Sequence, residues 1–346
     1  MTINVVDLFC GVGGLSYGLK SAELNVLAGI DVDHRCKFPY EENNEADFHL
    51  RDISQITAAE ILDLFPKEGV KVLVGCAPCQ PFSTYNQKNS DPKWNLVAKF
   101  SELIAEVKPD IVSMENVPRL EEFGGGGLFI QFKEKLEAAG YKVWHSVVAL
   151  QEYGLPQQRR RLVLLASKHG EIQLDSPPDS IPNTSVRKAI ASLSPIEAGS
   201  FDKNDPLHRS ARLSDINAAR IRASRPGSSW GDWPKKLVAP CHTKVSGKGY
   251  RSVYGRMEWD KPSPTITTQF FGFGNGRFGH PEQDRAISLR EGAILQSFPP
   301  KYRFVENESE ITVKGCGTLI GNAVPPLLGE VIGNSIKRHV NAMGLV

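Results

Sequence analysis

The sequence has no apolar run approaching the roughly 18 to 20 residues of a membrane-spanning helix, and no basic segment or cleavage site ahead of its first apolar stretch, Ile3 to Phe9. Neither membrane insertion nor secretion is expected, and a cytoplasmic protein is. Cysteine is sparse: Cys10, Cys36, Cys76, Cys79, Cys241 and Cys316 are scattered over 346 positions, which fits reduced thiols better than a disulfide framework. No second Cys or His pair accompanies Cys76 and Cys79, so the four ligands of a structural zinc site are missing and no metal is expected. Strong charge of either sign is missing too: 41 Lys and Arg against 39 Asp and Glu give no whole-chain sign of a polyanionic partner. A disordered or fibrous chain is excluded, because 40% hydrophobic and 23% charged residues are ordinary globular usage.

What is present is unevenly distributed. Residues 186–285 hold 17 Lys and Arg against 9 Asp and Glu, whereas the remainder holds 24 against 30, so one segment is basic and the rest acidic. That asymmetry hints at nucleic-acid contact, although a solvated basic face has the same composition. The first 170 residues alternate strand-like runs (4–9, 26–31, 70–75, 110–114, 141–150, 161–167) with helix-like stretches (14–22, 33–43, 57–65, 96–107, 128–139), and Ser54 or Thr57 is able to cap the third helix. This alternation predicts an α/β fold with a doubly wound, mostly parallel sheet, whose ligands sit outside the carboxyl ends of the strands. The proline-rich stretch Asp175 to Pro182 reads as a domain boundary, and the Arg-, Ser-, Gly- and aromatic-rich segment after it as a smaller, loop-rich domain. Helical spacing returns at Ser288 to Phe298 and at Pro326 to Val340, the last expected to pack back on the sheet.

The chemistry-bearing residues fall where strands end. Asp7 to Gly14 runs from a strand through a glycine turn into a helix, which lets backbone approach a nucleotide-like ligand, although Ser16 stands where a pyrophosphate-binding fingerprint wants a third glycine. Asp31 ends the next strand and Asp52 follows a third presumed one; each either accepts from a ligand, a ribose hydroxyl or an adenine amine respectively, or serves as an ordinary turn aspartate. Cys76-Ala77-Pro78-Cys79 follows the run Val70 to Val74 and allows a redox pair or a single thiolate nucleophile. Pro81 and the polar stretch Ser83 to Lys93 disfavour the helix that a redox pair opens, leaving Cys79 as nucleophile under a lid loop and Cys76 as packing. Met114 to Pro118 brings Glu115 to the same sheet edge, able to act as hydrogen-bond donor or acid. In Gln157-Gln158-Arg159-Arg160-Arg161, a plain basic turn competes with a reading in which one of Arg159 and Arg161 enters the site beside Glu115 while Arg160 faces away.

Taken together these residues resemble the DNA (cytosine-5) methyltransferase family of prokaryotic or phage type. Phe9 to Gly14 matches its F-x-G-x-G-G loop, Pro78-Cys79-Gln80 its nucleophile motif, Glu115-Asn116-Val117 its E-N-V motif and Gln157-x-Arg159-x-Arg161 its Q-x-R-x-R motif. Arg290-Glu291 with Gln296 to Pro299 resembles a late helical motif, and Gly321 to Pro326 the closing G-N-x-V-x-P motif, all in order. Lys93 and Trp94 depart from the family, standing where relatives often carry an arginine followed directly by the Asn turn, and Asp31 stands where many have glutamate.

The resemblance implies the S-adenosylmethionine-dependent methyltransferase fold, with residues 1–182 and 301–346 as catalytic domain and 183–300 as target-recognition domain. It implies S-adenosylmethionine as donor, bound through Phe9, Gly11, Gly13, Gly14, Asp31, Asp52, Ile53, Leu96 and Asn322, and Cys79, Glu115, Arg159 and Arg161 as catalytic residues. Cys79 would add to carbon 6 of a cytosine that has left the duplex, so that carbon 5 takes the methyl group. Residues 242–257 and 265–279 resemble two recognition loops, and Ser83, Arg251, Arg256, Thr265 and Arg277 are the implied DNA contacts. The partner would be double-stranded DNA, met by a monomer associated with the nucleoid. The apparent lack of flanking regulatory domains suits the modification half of a restriction-modification pair with a cognate endonuclease. The rival readings are a transfer-RNA cytosine-5 methyltransferase, whose Cys-Phe-Thr signature is absent here, a thiol-disulfide oxidoreductase using Cys76 and Cys79, and a DNA-binding protein that has lost catalysis.

Overall fold

Three strands with almost wholly buried side chains, β1 (Ile3–Leu8), β4 (Val70–Gly75) and β5 (Ile111–Asn116), form the middle of a seven-stranded sheet. Runs buried on both faces are what a parallel sheet covered by helices requires. The computed structural model describes residues 2–78, 95–181 and 184–345; Cys79, Ser83, Lys93 and Trp94 lie outside the described residues. With β2 (Asn25–Asp31), β3 (Asp47–Leu50), β6 (Lys142–Ala149) and β7 (Arg160–Ser167), the strand order is β3-β2-β1-β4-β5-β7-β6. The first five strands are parallel, whereas β7 runs antiparallel to both β5 and β6. The doubly wound, mostly parallel α/β architecture expected from the alternation is therefore the one observed.

The helices alternate with these strands: α1 (Gly14–Ser21), α2 (Lys37–Asn44), α3 (Ala58–Leu62), α4 (Asn95–Val107) and α5 (Gly127–Ala138). Thr57 caps α3 in a reciprocal box with Glu60, the hydroxyl accepting from the Glu60 amide and the carboxylate from the Thr57 amide. Leu73, Val97, Phe100, Met114, Phe132 and Leu164 join strands and helices in one apolar core. The chain's last helix, Pro326–Ala342, packs on α1 at backbone contact: a Cβ on Gly18 would lie 2.0 Å from the Pro326 carbonyl oxygen, so only glycine permits the approach. A hydrogen bond of 2.7 Å between Ser167 Oγ and His339 Nε2 ties the same helix to β7.

The chain divides into two compact units, one of residues 1–150, 160–177 and 323–346, the other of 151–159 and 178–322. The sequence-based division at 182 and 300 differs at three places, the first being that residues 178–182 already belong with the second unit. Residues 301–322 belong with the second unit, and so does the short segment 151–159, because it pairs with 263–266 rather than with the sheet. The second unit contains α6 (Val186–Ile190), α7 (Asp215–Ala223), α8 (Pro240–Thr243), α9 (Leu289–Leu295) and α10 (Val313–Asn322), joined by long irregular segments. Trp230, Trp233, Leu237 and Phe273 make an apolar cluster inside it.

Candidate active site

In the first unit, β1 ends in a left-handed turn: Phe9, Gly11 and Gly13 have φ of 59°, 53° and 87° before Gly14 opens α1. The Phe9 ring is held edge-on to Phe100, at 6.4 Å between centroids. A Cβ built on Gly11 meets nothing within 4 Å, so the turn has open space above it. The Gly11 amide donates to Asp31 Oδ2 and the Asp33 amide to Oδ1, each at 2.9 Å, which fixes the carboxylate of β2 beside the turn. Burial raises the Asp31 carboxyl above its ordinary range. Next to it Val32 is 70% exposed, an apolar surface that sequence reasoning passed over. Asp52 is exposed and accepts the Ser54 amide at 2.9 Å, an Asx turn, while Ile53 is buried. Leu96 is half-buried at the start of α4.

Beneath this turn Asp7 is fully buried, its Oδ2 accepting from Ser16 Oγ at 2.7 Å, and Ser16 Oγ lies 2.9 Å from the Tyr40 hydroxyl. Asp7 Oδ1 has no hydrogen-bond partner among the described residues. Burial pushes this carboxyl up to about 7, against the Ser16 hydrogen bond and with the help of Asp31. No reading of the sequence singled out Asp7, Ser16 and Tyr40 as a set, since 24 residues separate the last two.

The second cluster forms where β5 ends and β7 begins. Because β7 is antiparallel to β5, with Leu162 opposite Asn116 and Val163 opposite Glu115, the entry of β7 meets the exit of β5. Arg161 Nε thus stands 2.6 Å from Glu115 Oε1, with both side chains largely buried. The approach is an ion pair rather than an aligned hydrogen bond, and Oε1 keeps hydrogen-bonding capacity toward a ligand. Arg160 is exposed, so it does face away. Asn116 Nδ2 donates to the Ala77 carbonyl at 3.1 Å, holding the turn that leads from β4 toward Cys79. Cys76 is more than packing: burial together with the neighbouring Glu115 carboxylate raises its thiol pKa, keeping it protonated.

Arg159 falls in the second unit. It is 3% exposed and gives Nη1 to Gln157 Oε1 at 3.3 Å and to the Ile266 carbonyl at 3.1 Å. Gln157 is a hub that the motif alone did not reveal: its Oε1 also accepts the Ile266 amide at 2.8 Å, and its Nε2 donates to the Leu295 carbonyl at 3.0 Å. Thr265 donates its hydroxyl to the Gln158 carbonyl at 2.5 Å, in the same clamp. Gln296 continues it, donating Nε2 to the Ile320 carbonyl of α10 at 2.8 Å. Asn322, exposed, closes that helix.

Of the arginines put forward for DNA contact, Arg256 is placed otherwise. It is 4% exposed, and its guanidinium donates to the carbonyls of Ile221, Ser224, His280 and Gln283 and to the Asp284 carboxylate. It holds three segments of the unit together and has no face to offer a base. Arg277 is half-buried and anchored by its Nη1 on the Ser228 carbonyl at 2.7 Å, whereas Arg251 is exposed over the Trp230 ring.

Among the described residues no group of three or more His, Cys, Asp or Glu is placed to hold a metal ion, and no helix is long and apolar enough to cross a membrane. The family model for C-5 cytosine-specific DNA methylases matches residues 3–338. The Type II methylase M.HgiDII of Herpetosiphon aurantiacus is 52% identical over 98% of this chain and 96% of its own length. The Type II methyltransferase M.Sau96I of Staphylococcus aureus is 29% identical over 98% of this chain and 76% of its own. Among solved structures, a protein described as a prophage-encoded DNA modification methyltransferase from E. coli superposes with a TM-score of 0.75 at 22% identity, covering 98% of this chain and 100% of that one. That likeness speaks to the fold.

Proposed function

The chain belongs to the C-5 cytosine-specific DNA methylase family, and from that premise we propose that it methylates carbon 5 of one cytosine in a specific double-stranded DNA word through a covalent adduct with Cys79. The observation that carries the reading is the Glu115–Arg161 pair, set at the end of β5 beside the turn that leads from β4 to Cys79.

S-adenosylmethionine is the donor that the family implies, and the residues of the first unit fit it: open space over Gly11, the fixed Asp31 carboxylate for vicinal hydroxyls and the exposed Val32 for an adenine face. When bound, it supplies an electrophilic methyl carbon on a sulfonium sulfur. The chain's own residues do the rest. A cytosine must leave the stack before a thiolate can reach its face. Cys79 adds to carbon 6, which places the displaced electron pair on carbon 5. Glu115 supports the ring nitrogen and exocyclic amine where charge develops, and Arg161 holds that carboxylate and faces the base carbonyl. Once carbon 5 is methylated, loss of its proton restores the double bond and expels Cys79 as thiolate. Arg159 is a positioning residue, locking Gln157 against Ile266. The second unit reads the DNA word. The setting we infer is a cytoplasmic monomer acting as the modification half of a restriction-modification pair, a reading supported by relatives named as Type II methylases.

Purified protein is incubated with methyl-labelled S-adenosylmethionine and either unmethylated DNA or unmodified transfer RNA, then digested to nucleosides. Label in 5-methyldeoxycytidine supports the reading. Label confined to 5-methylcytidine from RNA, or found in neither, overturns it.

A further inference from the structure

Residues 240–251 of the second unit carry Lys244, Lys248 and Arg251 and no acidic side chain, yet they leave apolar surface in water: Val245 is 90% exposed and Tyr250 57%. The loop has a fixed shape. Trp230 stacks on His242 at 4.4 Å between ring centroids and donates its indole N–H to the Tyr250 carbonyl at 2.8 Å. The amides of Gly247 and Lys248 both donate to the Lys244 carbonyl, at 3.0 and 3.2 Å, and a Cβ on Gly247 would lie 1.9 Å from the Cys241 carbonyl oxygen. A tightly closed turn thus holds Val245 outward between two lysines, where it forgoes burial in the free protein. Isolated surface valines are common, but this one sits on a pinned loop with another exposed apolar side chain and three cations around it.

Resting on the function proposed above, we propose that this loop enters the major groove and that Val245 packs on the C5-methyl group of a thymine within the recognised word, while Lys244, Lys248 and Arg251 neutralise flanking phosphates. The thymine methyl is the one apolar group that base edges present in that groove, so it is what an exposed aliphatic side chain can read. The lysines are compact charges suited to phosphates, which fix position without reading sequence. Charge complementarity selects DNA as the occupant of this surface over a second copy of the chain, whose formal net charge is +2.

Once the methylated word is mapped, each of its thymines is replaced in turn by deoxyuridine, which lacks only the methyl group. For the wild-type protein kcat/KM is expected to fall roughly four- to tenfold at one position, about the worth of one buried methyl group. Val245→Ala is expected to abolish that thymine-over-uracil preference and leave the other positions alone. Lys244→Ala and Lys248→Ala should each weaken cognate and non-cognate DNA alike, lowering the salt dependence of log K by about one unit. A word without thymine, a wild-type enzyme indifferent to every replacement, or a V245A variant that keeps the preference overturns the proposal, as does a change in oligomeric state with DNA preference intact. Those outcomes leave the methyltransferase reading standing, whereas a wild-type protein that methylates no DNA sinks both.

Discussion

Arg161 reaches Glu115, at 2.6 Å, across the junction of β5 with β7, the one described strand that runs against the other six of the sheet. A carboxylate buried at the end of β5 needs a countercharge, and β7 supplies it only because it enters where β5 leaves. Truncating one member leaves the other unpaired in a dry site, at a cost of about 3–5 kcal/mol for a buried pair. Glu115→Gln keeps the shape and removes the charge; methyl transfer is expected to fall by about 10²–10⁴-fold, the usual worth of a positioned acid or base. Arg161→Lys, whose ammonium lacks the planar fork, should not restore activity. The double variant should lose less than the sum of the single losses in single-turnover methylation, and strict additivity would contradict a working pair.

Arg256 and Arg251, five residues apart, are expected to behave in opposite ways. Arg256→Lys abandons buried carbonyls of Ile221, Ser224, His280 and Gln283, each costing about 1–3 kcal/mol when left unsatisfied, so thermal unfolding should move down by several degrees. Arg251→Ala, exposed over Trp230, should leave the melting temperature within a degree or so and weaken DNA binding instead. Calorimetry and DNA titration on both variants decide the matter; an Arg256 variant with normal stability would show that its hydrogen bonds are dispensable.

The same contrast marks what could be read from sequence. β4 was legible to the residue because a buried parallel strand is a nearly continuous apolar run, whereas the cap of α3 stayed open between Ser54 and Thr57 until the Thr57–Glu60 box decided it. β3 had no such run: it is four residues long and only Phe48 is buried. The reversed direction of β7 leaves no trace in its composition, since buried strands of either sense look alike. Gln157 could be named as a motif residue, but its partners lie up to 139 positions away. Arg256 has the same chemistry as Arg251, and only burial separates a scaffold arginine from a surface one. Cys76 read as packing because a thiol and a small apolar side chain are equivalent until a neighbouring carboxylate appears.

Two buried groups give opposite pH dependences in one window. His280, buried with its Nδ1 accepting the Glu282 and Gln283 amides, is pushed by burial from 6.5 to about 4, despite Glu291 3.6 Å from Nε2 and with Arg285, Arg256 and His208 adding to the depression. The unfolded chain binds a proton that the folded one refuses between about pH 6.5 and 4, so this contribution, up to about 3 kcal/mol, is lost as pH falls. Asp7 is raised from 3.8 to about 7, so the folded state holds the extra proton; its contribution is present below about pH 4 and is lost as pH rises toward 7, up to about 4 kcal/mol. In denaturant titrations, His280→Gln should make the protein relatively less sensitive to acid, and Asp7→Asn should remove the loss of stability between pH 4 and 7. Identical pH profiles for wild type and both variants would refute these assignments.

The glycine turn makes the last prediction, and it separates binding from folding. Gly11 has φ of 53°, and a methyl group placed on it has no atom within 4 Å, so Gly11→Ala carries a left-handed backbone cost of roughly 1–2 kcal/mol but meets no clash within the protein. That methyl group projects into the open space where the donor is expected. Asp31→Ala removes the carboxylate fixed by the Gly11 and Asp33 amides and meant for ribose hydroxyls. A hydrogen bond to a charged group contributes about 1.5–3 kcal/mol, so the affinity for S-adenosylmethionine should drop roughly 10- to 150-fold in Asp31→Ala. Isothermal titration with S-adenosylmethionine and with S-adenosylhomocysteine reads both variants without requiring DNA or turnover. Asp31→Glu, one methylene longer, should recover part of the loss, because the hydroxyl pair can donate to either carboxylate. If both ligands bind Asp31→Ala as tightly as wild type, the carboxylate serves only to brace the Gly11 turn.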